Sequence, residues 1–347
     1  MRTALVLLTL VTVCAFAAEF TTGGADMWKF NGYGIFRLDV WGEEDADPDM
    51  GFSTDGDIAW TPTLNDMLSA KAELGLDAND NSVVLTDAYL NMTPADGFSI
   101  RGGQFKRMFG WGYLEPTTAM LFPDRPLYTS SGVGIFSDYG KRDIGLMLLG
   151  DFDMFTLDAA YTNGVVDTEE TDSNKQFTVH GTVMPAEWIT IGAALGMHTE
   201  DSEAEEDETV SGTGIDVYGL VGYPATETID LHFTGEYLML GDAVDEADGY
   251  EYNDQTVMTV AGGATFGLQG DMITAITPMI RYEQISPATA LPEGADDPED
   301  NYGAIDFCAN FHMGSHNTLQ LGARNYSFQA EGVDGYTDII LDWVMAF

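Results

Sequence analysis

The chain has 347 residues, of which 57 are Asp or Glu and 13 are Lys or Arg, giving a formal charge of -44. A nucleic-acid binder neutralises phosphates with clustered bases, so this balance excludes that class of partner. With 45% hydrophobic and 12% aromatic residues the chain is also too apolar to stay disordered. The 39 glycines and a mean hydropathy of -0.07 leave a large soluble β protein or a membrane barrel, which differ in where the apolar residues point.

The first 17 residues read as an export signal: Arg2, an apolar run from Ala4 to Val13, and Ala15-Phe16-Ala17 as the cleavage site. A lipoprotein reading through Cys14 is disfavoured, because Val13 stands where a small residue should precede the lipidated cysteine. Cleavage leaves Cys308 alone, so no internal disulfide can form. Residues 18–347 are then one domain. No later stretch approaches the 18 or so consecutive apolar residues that a helical span needs.

What recurs instead is period-two alternation in segments of about ten residues. In chain order they fall at 28–41, 52–61, 68–78, 83–92, 98–107, 142–150, 153–162, 177–183, 189–198, 213–223, 229–234, 255–266, 271–284, 302–313, 316–329 and 335–347, the second being the weakest. Phe30, Phe36, Leu38 and Val40 oppose Lys29, Asn31, Arg37 and Asp39. Ile339, Leu341, Trp343, Met345 and Phe347 oppose Tyr336, Asp338 and Asp342. Sixteen such segments, an even number, predict an all-β transmembrane antiparallel barrel.

The predicted connections alternate in length. Short ones at 93–97, 150–154, 185–187, 224–228, 267–270 and 314–315 carry Gly, Pro or Asp. Long ones at 43–49, 167–172, 200–208, 242–254 and 293–300 hold 27 of the 57 acids and no Lys or Arg. The charge is therefore concentrated at one mouth, where diffuse divalent cations bridging to lipopolysaccharide phosphates are a plausible partner. The 201–208 run lacks EF-hand spacing, so no metal site is assigned. The connection at 108–141 departs from the pattern. It is long, aromatic and little charged, as a packed functional loop would be. Beside it stand Arg101, Lys106, Arg107, Arg125, Lys141 and Arg142, 6 of the 13 bases within 42 positions.

At these residues the sequence resembles a family. Gly102-Gly103-Gln104-Phe105-Lys106-Arg107-Met108-Phe109-Gly110, Arg142-Asp143-Ile144-Gly145-Leu146 with Gly150, Tyr161-Thr162-Asn163-Gly164, and upstream Lys71-Ala72-Glu73-Leu74 and Asp87-Ala88-Tyr89-Leu90 resemble the phosphate-selective porin O and P family over roughly residues 28–165. The resemblance implies a homotrimeric, 16-stranded channel in the bacterial outer membrane, with the third extracellular loop folded inward. It also implies rows of Arg and Lys down the pore in members that carry phosphate. Here Arg37, Lys71 and Arg101 are instead outnumbered on the polar faces by Asp39, Glu73, Asp77, Asp87, Asp158, Asp216, Glu236, Glu283, Asp338 and Asp342.

The resulting expectation is a porin for passive diffusion of small hydrophilic solutes and ions, mildly favouring cations because a wall of one sign concentrates its counter-ions. A bipolar constriction is expected, with Lys71, Arg101, Lys106 and Arg107 on the wall facing Glu115, Asp124 and Asp138 on the loop, and Arg142 is a further constriction residue. Arg125, between Asp124 and Pro126, is expected to anchor the loop. Arg37, Asp39, Glu73, Asp77, Asp87, Asp158, Asp338 and Asp342 line the predicted pore. The alternatives are an anion- or phosphate-selective channel, if the clustered bases dominate the narrowest ring, and a surface barrel plugged by its loop. No cofactor is expected. The five histidines sit in no H-E-x-x-H or G-x-S-x-G setting, which argues against an enzyme. Expected partners are outer-membrane lipid and lipopolysaccharide, two further copies of the chain, and the permeants.

Overall fold

A computed structural model describes residues 20–22, 25–42, 49–77, 82–129, 136–164, 175–201, 209–241, 255–286, 302–328 and 335–347. The strands are β1 (Phe20–Thr22), β2 (Ala25–Gly42), β3 (Asp49–Asn65), β4 (Leu68–Asp77), β5 (Ser82–Ala95), β6 (Phe98–Lys106), β7 (Arg142–Phe152), β8 (Phe155–Thr162) and β9 (Gln176–Ala186). There follow β10 (Ile189–Asp201), β11 (Thr209–Thr226), β12 (Ile229–Leu240), β13 (Gln255–Gly267), β14 (Ala275–Ser286), β15 (Tyr302–His312), β16 (Asn317–Phe328) and β17 (Thr337–Ala346).

From β2 to β17 each strand pairs antiparallel with the next, and β17 returns to β2 in the register Asp342↔Arg37, so the 16-stranded sheet closes on itself. β1 adds a short pairing to β2. Closure removes the free edges that a membrane would leave without hydrogen-bond partners. Phe347 completes it, exchanging backbone hydrogen bonds with Gly32 in both directions at 3.0 and 2.9 Å. Gly32 has to be glycine here, since a Cβ would stand 2.8 Å from the Phe347 ring and 2.3 Å from the Asp57 carbonyl oxygen.

The distribution of side chains inverts that of a soluble protein. Leu90 and Phe307 are 62% and 56% exposed on the outer face, while Asp342 and Glu283 are wholly buried inside. Because neighbours run antiparallel, alternate connections emerge at the same end. One end carries tight turns at Asp66-Met67, Asp96-Gly97, Asp153-Met154, Glu187-Trp188 and Glu227-Thr228, with Gly97 and Asp153 at positive φ. The strands run further into these turns than the sequence predicts, because Pro185 and Pro224 sit within the ends of β9 and β11, where a missing N–H is tolerated. By contrast β14 starts at Ala275, four residues later than predicted, because Leu268 to Thr274 forms the longest of these turns, closed by the Leu268 N–H on the Thr274 carbonyl.

The opposite end carries the long loops. The signal segment, residues 1–17, lies outside the described residues, as do the five acidic stretches apart from the backbones of Asp49, Glu200 and Asp201.

Candidate functional site

The segment between β6 and β7 does not stay at the loop end. It carries the short helices α1 (Trp111–Leu114) and α2 (Phe136–Tyr139) and two 3-10 turns at Thr117–Ala119 and Leu127–Thr129, and it packs inside the barrel. Phe109, Leu127, Tyr128, Phe136 and Tyr139 form a core with Ala194, Leu238, Leu240, Val257, Ile285 and Ala304 of the wall. Phe122 packs on Ala261, Met279 and Cys308.

Polar contacts hold the same face of the loop. Backbone N–H groups of Gly110 and Leu127 donate to Asp216 and Glu283 at 3.1 and 2.7 Å, and Glu236 accepts from the Gly112 N–H and the Tyr128 hydroxyl. In the reverse direction wall donors take loop carbonyls: Gln320 on Met120, Asn310 on Leu121, Arg37 on Pro123, Arg281 on Asp124 and Arg324 on Arg125, all at 2.9–3.0 Å. Arg281 and Arg324 are compensated by Asp306, each at 2.6 Å, and by Glu283. Burying these charges is tolerable because each guanidinium meets carboxylates and its remaining N–H groups meet carbonyls.

The loop's other face borders two cavities. The larger, 800 Å³, lies against β5 to β11 and reaches the turn end at Gly97 and Asp151. The smaller, 370 Å³, lies against β2 to β5 with Arg142. They share Asp87, Lys106, Leu114 and Pro116. Into them the loop presents Trp111, Leu114, Pro116, Thr117 and Thr118, while the wall presents the charges. Lys71 pairs with Glu73 and Asp87 at 2.8 and 2.7 Å, and Arg142 with Asp87 and Glu73 at 2.8 and 3.3 Å. Arg101 donates to the Asn91 side-chain oxygen at 3.0 Å and lies 4.2 Å over the Tyr89 ring. Lys106 donates to the Tyr113 carbonyl at 2.9 Å. Of the cations that line the two cavities, Arg101 and Lys106 have no carboxylate at ion-pair distance among the described residues. Gly103, between them, has φ 131°, and a Cβ there would meet the Ala88 carbonyl oxygen at 2.2 Å.

A closed barrel with a loop folded inside describes many channels, and the sequence decides which. The family model for phosphate-selective porin O and P matches residues 56–275. The chain belongs to that family. Among solved structures the fold is similar to the outer membrane channel DcaP of Acinetobacter baumannii, with 14% identity, a TM-score of 0.62 and coverage of 95% of this chain and 100% of that one. It is similar also to an anion-selective porin from Comamonas acidovorans (12%, 0.57, 92% and 100%) and to OmpT of Vibrio cholerae in its trimer form (13%, 0.55, 92% and 99%). The curated proteins include no match. The molecule is an outer-membrane porin, and its barrel is the body of a channel.

In this porin the predicted site residues separate into groups. Lys71, Glu73, Asp87, Arg101, Lys106 and Arg142 come together on the β4–β7 wall beside the cavities, and Asp158 joins them against His180 at 3.2 Å. Arg107 does not face the cavities: it is fully buried, donating to the Gly140 carbonyl and to Gln176, and its backbone bonds Lys141, so it ties the two ends of the loop together. Arg125 braces the loop from within through the carbonyls of Gly112, Tyr113 and Glu115. Asp124 reaches the opposite side, pairing with Arg37 at 2.7 Å, and Arg37 also holds Asp342. Asp39 lies 3.9 Å from Arg37, and Asp338 follows on β17. The side chains of Asp77 and Asp138 lie outside the described residues.

Beside the cavities the predicted wall bases meet acids of their own wall and not the predicted loop acids. Acids and bases alternate on the same wall, because cross-strand neighbours neutralise each other at shorter range than a loop across the lumen can. The loop residues that line the cavities are neutral; Glu115 of the same segment is not among them, and its carboxyl is pushed up by burial and drawn back by Arg125 and Arg281.

Sequence reading left Arg281, Asp306, Asn310, Gln320 and Arg324 out of the site. The available signal was two arginines at inward positions of late strands in a chain with only 13 bases. Trp111, Tyr89 and Tyr218, which line the larger cavity, carry no such mark.

Proposed function

We propose that this porin is a passive channel for small hydrophilic solutes and ions whose path runs between the inserted loop and the β4–β9 wall. Its narrow stretch favours anions. The observation that carries this reading is the charge left over along the cavities: Lys71 and Arg142 are satisfied by Glu73 and Asp87, whereas Arg101 and Lys106 meet neutral acceptors. An uncompensated cation in a low-dielectric wall concentrates anions locally, whatever the net charge of the chain. The family to which the chain belongs and the anion-selective solved relative support the same direction.

The acidic mouth acts in the opposite sense, over a range that salt controls. The screening length is about 30 Å at about 0.01 M and about 3 Å at about 1 M. In dilute salt the mouth enriches cations; in concentrated salt the constriction governs. A planar-bilayer recording under a KCl gradient tests this. Near 1 M the reversal potential should take the sign of chloride selectivity and move toward potassium as salt is diluted. Absence of channel steps would refute the channel, and potassium selectivity at all salts would refute the anion preference.

We propose further that the assembly is a homotrimer in outer-membrane lipid and lipopolysaccharide. The trimer form of the Vibrio cholerae relative supports this. Light scattering of the detergent-purified protein distinguishes it from a monomer.

A further inference from the structure

The larger cavity offers more than charge. On one side the Arg101 guanidinium lies over Tyr89, 4.2 Å from the ring centroid, with the Asn91 oxygen taking one of its N–H groups. Five strands further round, Trp111 of the loop stacks on Tyr218 of β11 with ring centroids 5.3 Å apart and planes 26° apart. Tyr218 is fixed in turn: its hydroxyl meets His180 Nε2 at 2.8 Å, the two rings stack at 10°, and Asp158 holds His180 Nδ1. Phe98 closes the aromatic lining toward the turn end. The cavity, at 800 Å³, is within the range of about 300–1,000 Å³ typical of small-molecule sites. A diffusion path that had only to pass water and ions would have no use for a rigid aromatic wall facing a guanidinium.

Resting on the channel reading above, we propose that this cavity is a solute-binding subsite for planar aromatic carboxylates. The carboxylate meets Arg101, whose planar fork matches its two oxygens, and the ring lies on the Trp111–Tyr218 wall. The acids that also line the cavity do not oppose this. Asp87 is held by Lys71 and Arg142, Asp158 is engaged by His180, and Asp151 sits at the turn-end opening.

The test compares benzoate with cyclohexanecarboxylate, which has the same charge and ring size but no π face, as blockers of chloride current through single channels in a bilayer. Benzoate should block at a concentration about two- to tenfold lower. R101Q should raise the half-blocking concentration of both acids by about tenfold or more. W111L should erase the difference between them, and W111F, which keeps a ring, should restore it. Equal block by the two acids in the wild type, unchanged block in R101Q, or a benzoate preference that survives W111L would each overturn the proposal. Open, chloride-selective channels with equal block would refute the subsite while leaving the channel reading intact. Absence of channels would refute both.

Discussion

Two parts of the same wall use the same alternation to opposite ends. From β12 to β17, with Asp216 of β11 and Arg37 of β2, inward residues beside the loop are spent on it: Leu238, Leu240, Val257 and Ile285 pack it, and Asp216, Glu236, Glu283, Arg281 and Arg324 hydrogen-bond its backbone. From β4 to β9 the inward residues meet the loop only at its edge and border open cavities. Charge thus plays two roles in one lumen. Desolvated charge in the packed part is structural, and its removal should be felt in stability. On the function proposed above, hydrated charge in the open part acts on permeants, and its removal should be felt in selectivity.

Glu283→Ala should have the largest effect. It leaves Arg281 and Arg324 short of a carboxylate and the Leu127 N–H without its acceptor, at a cost of about 3–5 kcal/mol. Denaturant unfolding in liposomes reads the loss, and noisier single-channel currents should report a loosened loop. Stability within about 1 kcal/mol of wild type would mean the packed sector is not held this way.

The next contrast sets one arginine against another. Arg37→Gln should cost about 1–3 kcal/mol by breaking contacts with Asp342 and Asp124, with reversal potential unchanged. Arg101→Gln should shift the reversal potential toward potassium, with the unfolding midpoint unchanged. An exchange of these outcomes would invert the assignment of the two sectors.

Neutralising the acids of the 242–254 loop, such as Asp245, Glu246 and Asp248 to Asn or Gln, should weaken cation enrichment in dilute salt and leave selectivity near 1 M untouched. A change at 1 M would put that loop at the constriction.

Glu115→Gln should have the smallest effect. Burial raises the Glu115 carboxyl above its unfolded value, so the folded state holds the proton more tightly. Its contribution is therefore full below the unfolded pKa and falls as pH rises through the folded one. The substitution should flatten the gain in stability between neutral pH and about 4, the ordinary range for Glu. An unaltered pH profile would leave Glu115 without influence.

The barrel was legible because alternation is local. Ile339, Leu341 and Trp343 opposite Asp338 and Asp342 need no knowledge of any partner strand, and even the faint 52–61 segment is a full strand, Asp49–Asn65. That the 108–141 loop is packed follows from its aromatics, and its inward placement from the resemblance to the family. Which wall it would seal follows from neither. Leu238, Leu240 and Val257 break the polar-inside rule only because the loop covers them, and a strand read alone shows merely a longer apolar run. Pairings such as Arg37 with Asp124, 87 positions apart, arise from the curvature of the closed sheet. For the same reason alternation alone does not separate wall acids that stay open to the lumen from those that pair with bases or hold the loop.

The central claim, that permeants travel beside the β4–β9 wall and not through the packed sector, is most directly tested by cysteine modification during recording. In a Cys308→Ser background, Arg101→Cys and Ala261→Cys are exposed in turn to an anionic methanethiosulfonate reagent. The structure predicts a stepwise fall in conductance for Arg101→Cys and none for Ala261→Cys, which is buried under Phe122. Block at Ala261→Cys with Arg101→Cys unaffected would contradict it.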